Sequence, residues 1–201
     1  MVASELKHYD YYRIRYGIEH RCSTLMSRLR AYSSKLTGAH IGNNCSFGKK
    51  VSFVYGWRTS IGAKCVIDDF VQFKTPTCNS QNKRFNICLN DNVFIGRGTI
   101  IDSNLSVIIG RDVLIAPYCF ITDTEHEFDD KTKPIFAQGW KYKPVIIEDD
   151  VWIGAHCVIL SGVTIGKGCV IAANSTVLRD IPQGMVVGGN PAEIIRERRK
   201  P

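Results

Sequence analysis

The residue of this chain whose surroundings most invite chemistry is His126. It stands in the run Thr122-Asp123-Thr124-Glu125-His126-Glu127-Phe128-Asp129-Asp130, one imidazole among five carboxylates. An imidazole titrates near neutrality and can take a proton from a weakly acidic hydroxyl. A neighbouring carboxylate can fix its tautomer and stabilise the imidazolium that results. Asp123, Glu125 and Asp129 are the candidates for that second role, and the sequence leaves the choice among them open. The other histidines are weaker candidates. His8, His20 and His40 lie outside or at the margin of the repeat described next, and His156 sits beside Cys157 in a place that suits an outward-facing structural side chain.

What must position His126 is a repeat with a period of six. Each unit begins with an aliphatic residue or Phe and carries a small or β-branched residue four places later. Units begin at Ile41, Phe47 and Phe53; at Ile61, Ile67 and Phe73; at Leu89, Ile95 and Ile101; and at Ile109, Ile115 and Ile121. The last series runs Ile147, Ile153, Ile159, Ile165, Ile171 and Val177 without a break. The units fall into threes, and extra residues enter only between threes: two, ten, two and twenty of them in chain order. Three short strands per turn make a triangular coil, so insertions confined to one phase leave from one corner. Six coils at a strand spacing of roughly 4.8 Å give a prism about 29 Å long. The fold expected is therefore all-β, a parallel β-helix of about six coils.

Inside such a prism space is short. The aliphatic residue fills the interior, and the residue four places on must be smaller, as at Cys45, Cys65, Val93, Thr99, Cys119, Cys157, Cys169 and Ser175. The glycines in second place (Gly42, Gly48, Gly62, Gly96, Gly110, Gly154, Gly166) are read as serving a corner with unusual φ/ψ. Glu125 falls where a small buried residue belongs, with His126 directly after it, and the register resumes only at Ile147. The chemistry-bearing histidine thus stands where the repeat fails.

Residues 1–40 lack the repeat and read as an N-terminal helical cap, with one or two helices between Tyr11 and Leu36. Residues 41–182 form the β-helix with loops 74–88 and 122–146. Residues 183–201 supply a short strand, Met185 to Val187, and a basic, helical tail from Pro191. Of the 201 residues 44% are hydrophobic and 22% charged, the balance of an ordinary globular protein. No apolar run approaches the roughly 18 residues of a transmembrane helix, and no secretory signal is visible, so a cytoplasmic location is expected. The eight cysteines include no C-x-x-C pair, and five occupy the small inward position, so they read as free packing residues. The net charge of +7 is not interleaved with aromatic residues, which speaks against a nucleic-acid partner. The basic, aromatic N-terminal segment is a candidate for contact with an anionic membrane surface.

Three stretches carry a family likeness: Asp150-Val151-Trp152-Ile153-Gly154-Ala155, Ile159 to Gly166, and Gly188-Gly189-Asn190-Pro191-Ala192. Over about residues 41–196 the chain resembles the hexapeptide-repeat acetyltransferases, most closely their sugar and polysaccharide O-acetyltransferase branch. The resemblance implies left-handed winding, where the general crossover rule would give the opposite hand. It implies a homotrimer with acetyl-CoA lying between adjacent subunits, and direct transfer to a sugar hydroxyl with His126 as base. It implies further that Trp152, Ala155, Ala173, Asn190 and Pro191 line the cofactor site, with Arg179 and Arg196 near its nucleotide end. Glu193 departs from the family's basic residue after Asn-Pro-Ala, and Arg196 to Lys200 are the available substitutes. An amino sugar as acceptor is the alternative. More distant is a γ-class carbonic anhydrase, which needs three zinc-binding histidines, and the coils concerned offer only His126 and His156. No metal is expected.

Overall fold

The computed structural model describes residues 24–76 and 84–198. Its body is a left-handed parallel β-helix whose coils stack three flat faces. The first face is Ile41's: His40–Ile41, Thr59–Ile61, Ile87–Leu89, Val107–Ile109, Val145–Ile147 and Thr164–Ile165, all parallel. The second runs through Ser46–Phe47, Val66–Ile67, Phe94–Ile95, Leu114–Ile115, Trp152–Ile153, Val170–Ile171 and Met185–Gly188. The third runs through Ser52–Val54, Gln72–Lys74, Ile100–Asp102, Phe120–Thr122, Val158–Ile159 and Thr176–Val177. The unit-opening residues form interior columns: Ile61, Ile95, Ile101, Ile115, Ile121, Ile153 and Ile159 are fully buried. Like side chains stack in register one strand spacing apart, so each coil contributes apolar area to both neighbours.

The small inward residues pack as the crowding argument requires. Cys45 lies against Cys65 and Cys119 against Cys157, and their thiols donate to backbone carbonyls of the adjacent coil, as in Cys119 Sγ to Gly154 O at 3.2 Å. These cysteines are free thiols. The hydrogen bond donated to the partner sulfur, together with burial, pushes Cys65 and Cys119 up.

The reason for the second-place glycines is different from the one expected. None of the seven has a positive φ; the left-handed residue lies two places later, at Asn44, Lys64, Asn92, Tyr118, His156 and Asn174 among others. What the glycines supply is closeness. A Cβ on Gly154 would stand 2.5 Å from Ala173 N, and one on Gly62 would stand 2.6 Å from the Asn90 carbonyl carbon. At these glycines the next coil's backbone stands in the space a side chain would fill.

The two ends of the prism are closed in different ways. Helix α1, Thr24–Ser34, continues into a 3₁₀ turn, Lys35–Thr37, and packs on the first strand of the second face. Any helix before residue 24 lies outside the described residues. After Val177 the repeat does not end. Ile181 bridges to Ile165, and Val187, six residues on, is buried in register with Ile171, so a partial seventh coil is added. The tail is not helical. Glu193–Glu197 is a strand lying antiparallel on Met185–Gly188. The last coil leaves a row of backbone groups unpaired, and a β-branched Ile194-Ile195 segment satisfies them by pairing, which also blocks end-to-end association.

Candidate functional site

The insertion after Ile121 is a hairpin. Thr124–His126 pairs antiparallel with Trp140–Tyr142, placing Glu125 opposite Lys141 and His126 opposite Trp140. Alternation puts Glu125 on the other side of the strand from His126. Glu125 Oε2 meets Lys141 Nζ at 3.5 Å. His126 is exposed, and its ring lies on the indole of Trp140, with centroids 3.6 Å apart and planes at 33°. At the tip, Asp130 accepts from the N–H and hydroxyl of Thr132, and these bonds with Lys133 hold its carboxyl below the usual range.

Asp123 has another task. It is fully buried, and its carboxylate accepts from Ser103 Oγ at 2.6 Å and from the backbone N–H groups of Asn104, Leu105 and Ser106 at 2.8, 2.9 and 2.6 Å. Thr124 Oγ1 adds a fifth donor at 2.9 Å. Three successive N–H groups converging on one anion form a nest, the arrangement that makes a buried charge tolerable without a cation. Asp123 therefore ties the corner from which the hairpin springs to the corner one coil before it. Among the described residues no hydrogen bond joins His126 to Asp123, Glu125 or Asp129, and Asp129 is exposed. Burial pushes the carboxyl of Asp102 up beside this root, partly offset by Lys74 in register with it.

The candidate cofactor residues gather elsewhere. Trp152 projects from the second face, 52% exposed, in the outer column Leu114, Trp152, Val170, Val186. Arg196 pairs with Val186 and extends the same column, roughly 14 Å or three strand spacings beyond Trp152. Ala155 and Ala173 occupy equivalent positions, one coil apart, at the edge between the second and third faces. Asn190 and Pro191, joined by a cis peptide, follow directly on the same edge. Thr176 N donates to Gly189 O, and Gly189 N donates to Ser175 Oγ. Arg179 does not join this group; it is exposed at the corner between the third and first faces. Arg198 is engaged elsewhere, with Asp150 Oδ2 at 2.8 Å and Gly168 O at 3.1 Å.

The corners differ in how their backbone is used. At the place equivalent to Ala155, a carboxylate from an adjacent coil caps the N–H of Lys49, Ala63, Arg111 and Lys167, at 2.6 to 2.7 Å. Among the described residues no protein acceptor meets the N–H of Ala155 or Ala173. Two uncapped donors beside small side chains can receive the amide carbonyls of an extended ligand. Sequence reasoning missed this contrast, although acids at the third place of a unit (Asp69, Asp91, Asp149) mark the capped corners. It also missed Trp140, which the β-forming Trp140-Lys141-Tyr142 opposite Thr124-Glu125-His126 could have shown.

Residues 144–179 match the family model described as bacterial transferase hexapeptide (six repeats), and residues 38–68 match hexapeptide repeat of succinyl-transferase. Galactoside O-acetyltransferase of Escherichia coli is 40% identical over 113 residues, 53% of this chain and 54% of that protein. A probable acetyltransferase of Mycobacterium tuberculosis is 40% identical over 109 residues, 54% of this chain and 36% of that protein. A crystal structure of a hexapeptide-repeat containing acetyltransferase from Vibrio cholerae superimposes with a TM-score of 0.58 at 29% identity, over 87% of this chain and 82% of that one. A variant of AntD, an N-acyltransferase from Bacillus cereus, gives 0.72 at 23% identity over 84% and 89%, a likeness that shows the fold. Repeat and fold together define a left-handed hexapeptide-repeat β-helix, and the chain is similar to acetyltransferases that carry this repeat. It spans about half the length of the curated relatives it matches.

Proposed function

We propose that this chain is an acetyl-CoA-dependent O-acetyltransferase acting on a sugar hydroxyl, with its site completed by a second copy in a homotrimer. The observation that carries the reading is the division of labour between two edges. The hairpin bearing His126 leaves the corner between the third and first faces, while Trp152 lies on the second face and Ala155 and Ala173 on its far edge. In a triangular prism the second face is opposite that corner, so one chain cannot bring His126 to its own Trp152. The hairpin of one copy meets the second face of the next.

In this arrangement the N–H groups of Ala155 and Ala173 receive the amide carbonyls of the pantetheine arm, and Trp152 flanks it. Arg196 faces the phosphates, a partner its guanidinium suits. His126 removes the proton of the acceptor hydroxyl as its oxygen attacks the acetyl carbon. The thioester C–S bond then breaks, and the proton held on His126 passes to the departing sulfur. Trp140 supports the imidazole through the contact of its indole, and Asp123 fixes the root of the hairpin. The acceptor is read as a sugar because galactoside O-acetyltransferase is among the relatives. An amine acceptor finds its support in a tetrahydropyridine-dicarboxylate N-acetyltransferase of Clostridium perfringens, 64% identical over 53 residues, but that stretch is about a quarter of either chain.

The test is thiol release from acetyl-CoA in the presence of a panel of sugars, amino sugars and sugar nucleotides. His126→Ala is expected to lose at least about 10² in kcat/KM, the scale for removing a general base. A near-normal rate in that variant would sink the mechanism, and release only with amino sugars would reassign the acceptor.

A further inference from the structure

Helix α1 presents its residues in the reverse of the usual order. Ser27 and Ala31, both 5% exposed, face the prism, where Ser46 Oγ donates to Ser27 Oγ at 2.8 Å and Arg30 Nε donates to Phe47 O at 2.9 Å. The large apolar side chains point outward: Leu25 is 71% exposed, Leu29 50%, Tyr32 70% and Leu36, in the following 3₁₀ turn, 88%. At 100° per residue Leu25, Leu29 and Tyr32 fall within one stripe about 60° wide, with Met26 beside it. Burying small residues and displaying large ones leaves apolar area in water that ordinary folding would remove, so the stripe calls for an occupant.

The charge around the stripe says which. Residues 20–40 hold Arg21, Arg28, Arg30 and Lys35 and no Asp or Glu. On the helical wheel Arg28 and Lys35 lie along one border of the stripe. Tyr32, apolar ring with a polar tip, is a side chain suited to a lipid–water boundary. An apolar strip bordered by cations with no anion among them is the pattern of a helix that lies in the plane of an anionic bilayer. A second copy of this chain would bring the same cations face to face, so it is the poorer occupant. We propose that the outer stripe of α1 docks this protein on a membrane surface carrying anionic lipid. The proposal is independent of the acyl-transfer reading.

The experiment is co-sedimentation of the full chain with vesicles of phosphatidylcholine alone and of phosphatidylcholine mixed in equal parts with phosphatidylglycerol. Binding is expected to the mixed vesicles and to be many-fold weaker to the neutral ones. Arg28→Gln with Lys35→Gln is expected to weaken the mixed-vesicle partition by roughly 25-fold, about fivefold per cation. Leu25→Asp with Leu29→Asp is expected to weaken it more than about tenfold. Both pairs are exposed, so thermal unfolding, oligomer mass and thiol release with soluble acceptors should stay as in the parent. The proposal is overturned by absence of binding to mixed vesicles, by equal binding to both kinds, or by variants that bind like the parent. A drop in oligomer mass in the Asp pair would overturn it too, making the stripe a subunit contact.

Discussion

Two edges of the prism bear on the site, and they are made in opposite ways. The edge between the third and first faces is where every insertion leaves, and its interior is polar. Arg58 Nη1 donates to Asn86 Oδ1 at 3.2 Å, Asn86 Nδ2 donates to the carbonyls of Asn104 and Leu105, and that same turn donates to Asp123. The edge between the second and third faces is never interrupted and ends in the small residues Ala155, Ala173 and Gly189. The first edge projects a side chain outward; the second, in its last coils, offers bare backbone. A solenoid can do both because each coil is bonded only to its neighbours, so a break at one corner leaves the register of the other corners intact.

The interrupted edge depends on its polar network, and Asp123 is where to break it. Asp123→Ala would take the acceptor from the three backbone N–H groups of Asn104, Leu105 and Ser106 at a fully buried position, each worth about 1–3 kcal/mol when left unmet. A destabilisation of at least about 3 kcal/mol is expected in chemical unfolding, with the chemistry proposed for His126 lost through displacement of the hairpin. Asp123→Asn keeps the shape but cannot accept from all the donors, and should fall between. An Ala variant as stable as the parent would mean that the nest does not hold the corner.

The uninterrupted edge should be sensitive to volume instead of polarity. A Cβ at Gly154 would meet Ala173 N at 2.5 Å and Ala173 Cα at 2.8 Å, both backbone and unable to step aside. Gly154→Ala is expected to cost about 1–3 kcal/mol. Gly139→Ala, in the hairpin, meets nothing within 4 Å and has only its positive φ of 95° to contend with, so its cost should stay near 1 kcal/mol. Equal losses at the two positions, compared by thermal melts, would erase the contrast.

How much of this was legible in the sequence follows from which interactions repeat. The interior columns and the single insertion corner were readable because the same volume constraint recurs at Ile61, Ile95, Ile115 and Ile153, and one violation at Glu125 stands out against it. The second-place glycines were located correctly but explained by φ when the cause is the approach of the next coil's backbone, a distance no one-dimensional pattern encodes. The seventh coil is hidden from the repeat pattern because the link from Val177 to Ile181 is shorter than a unit, and the tail does not read as a strand because its partner, Met185–Gly188, exists only once the coils are stacked. Asp123 looked like a candidate for pairing with His126 by proximity in sequence. Alternation along a short strand and a nest built by residues about twenty positions earlier decide otherwise.

The smallest expected effect is the sharpest test of the uninterrupted edge. Pro117 stands one coil before Ala155 at the equivalent place, preceded by Ala116 as Ala155 is by Gly154, so this corner already accommodates a proline. Ala155→Pro therefore deletes one N–H with little change in backbone path. If that N–H receives a carbonyl of the donor, the loss is one hydrogen bond, about 1 kcal/mol. The KM for acetyl-CoA should then rise roughly fivefold while kcat and the melting temperature stay close to the parent's. A fall in kcat at unchanged KM would place Ala155 at the reacting atoms instead of along the arm. No change in either would mean that the open N–H faces only solvent, and the smooth edge would then be left without the ligand proposed for it.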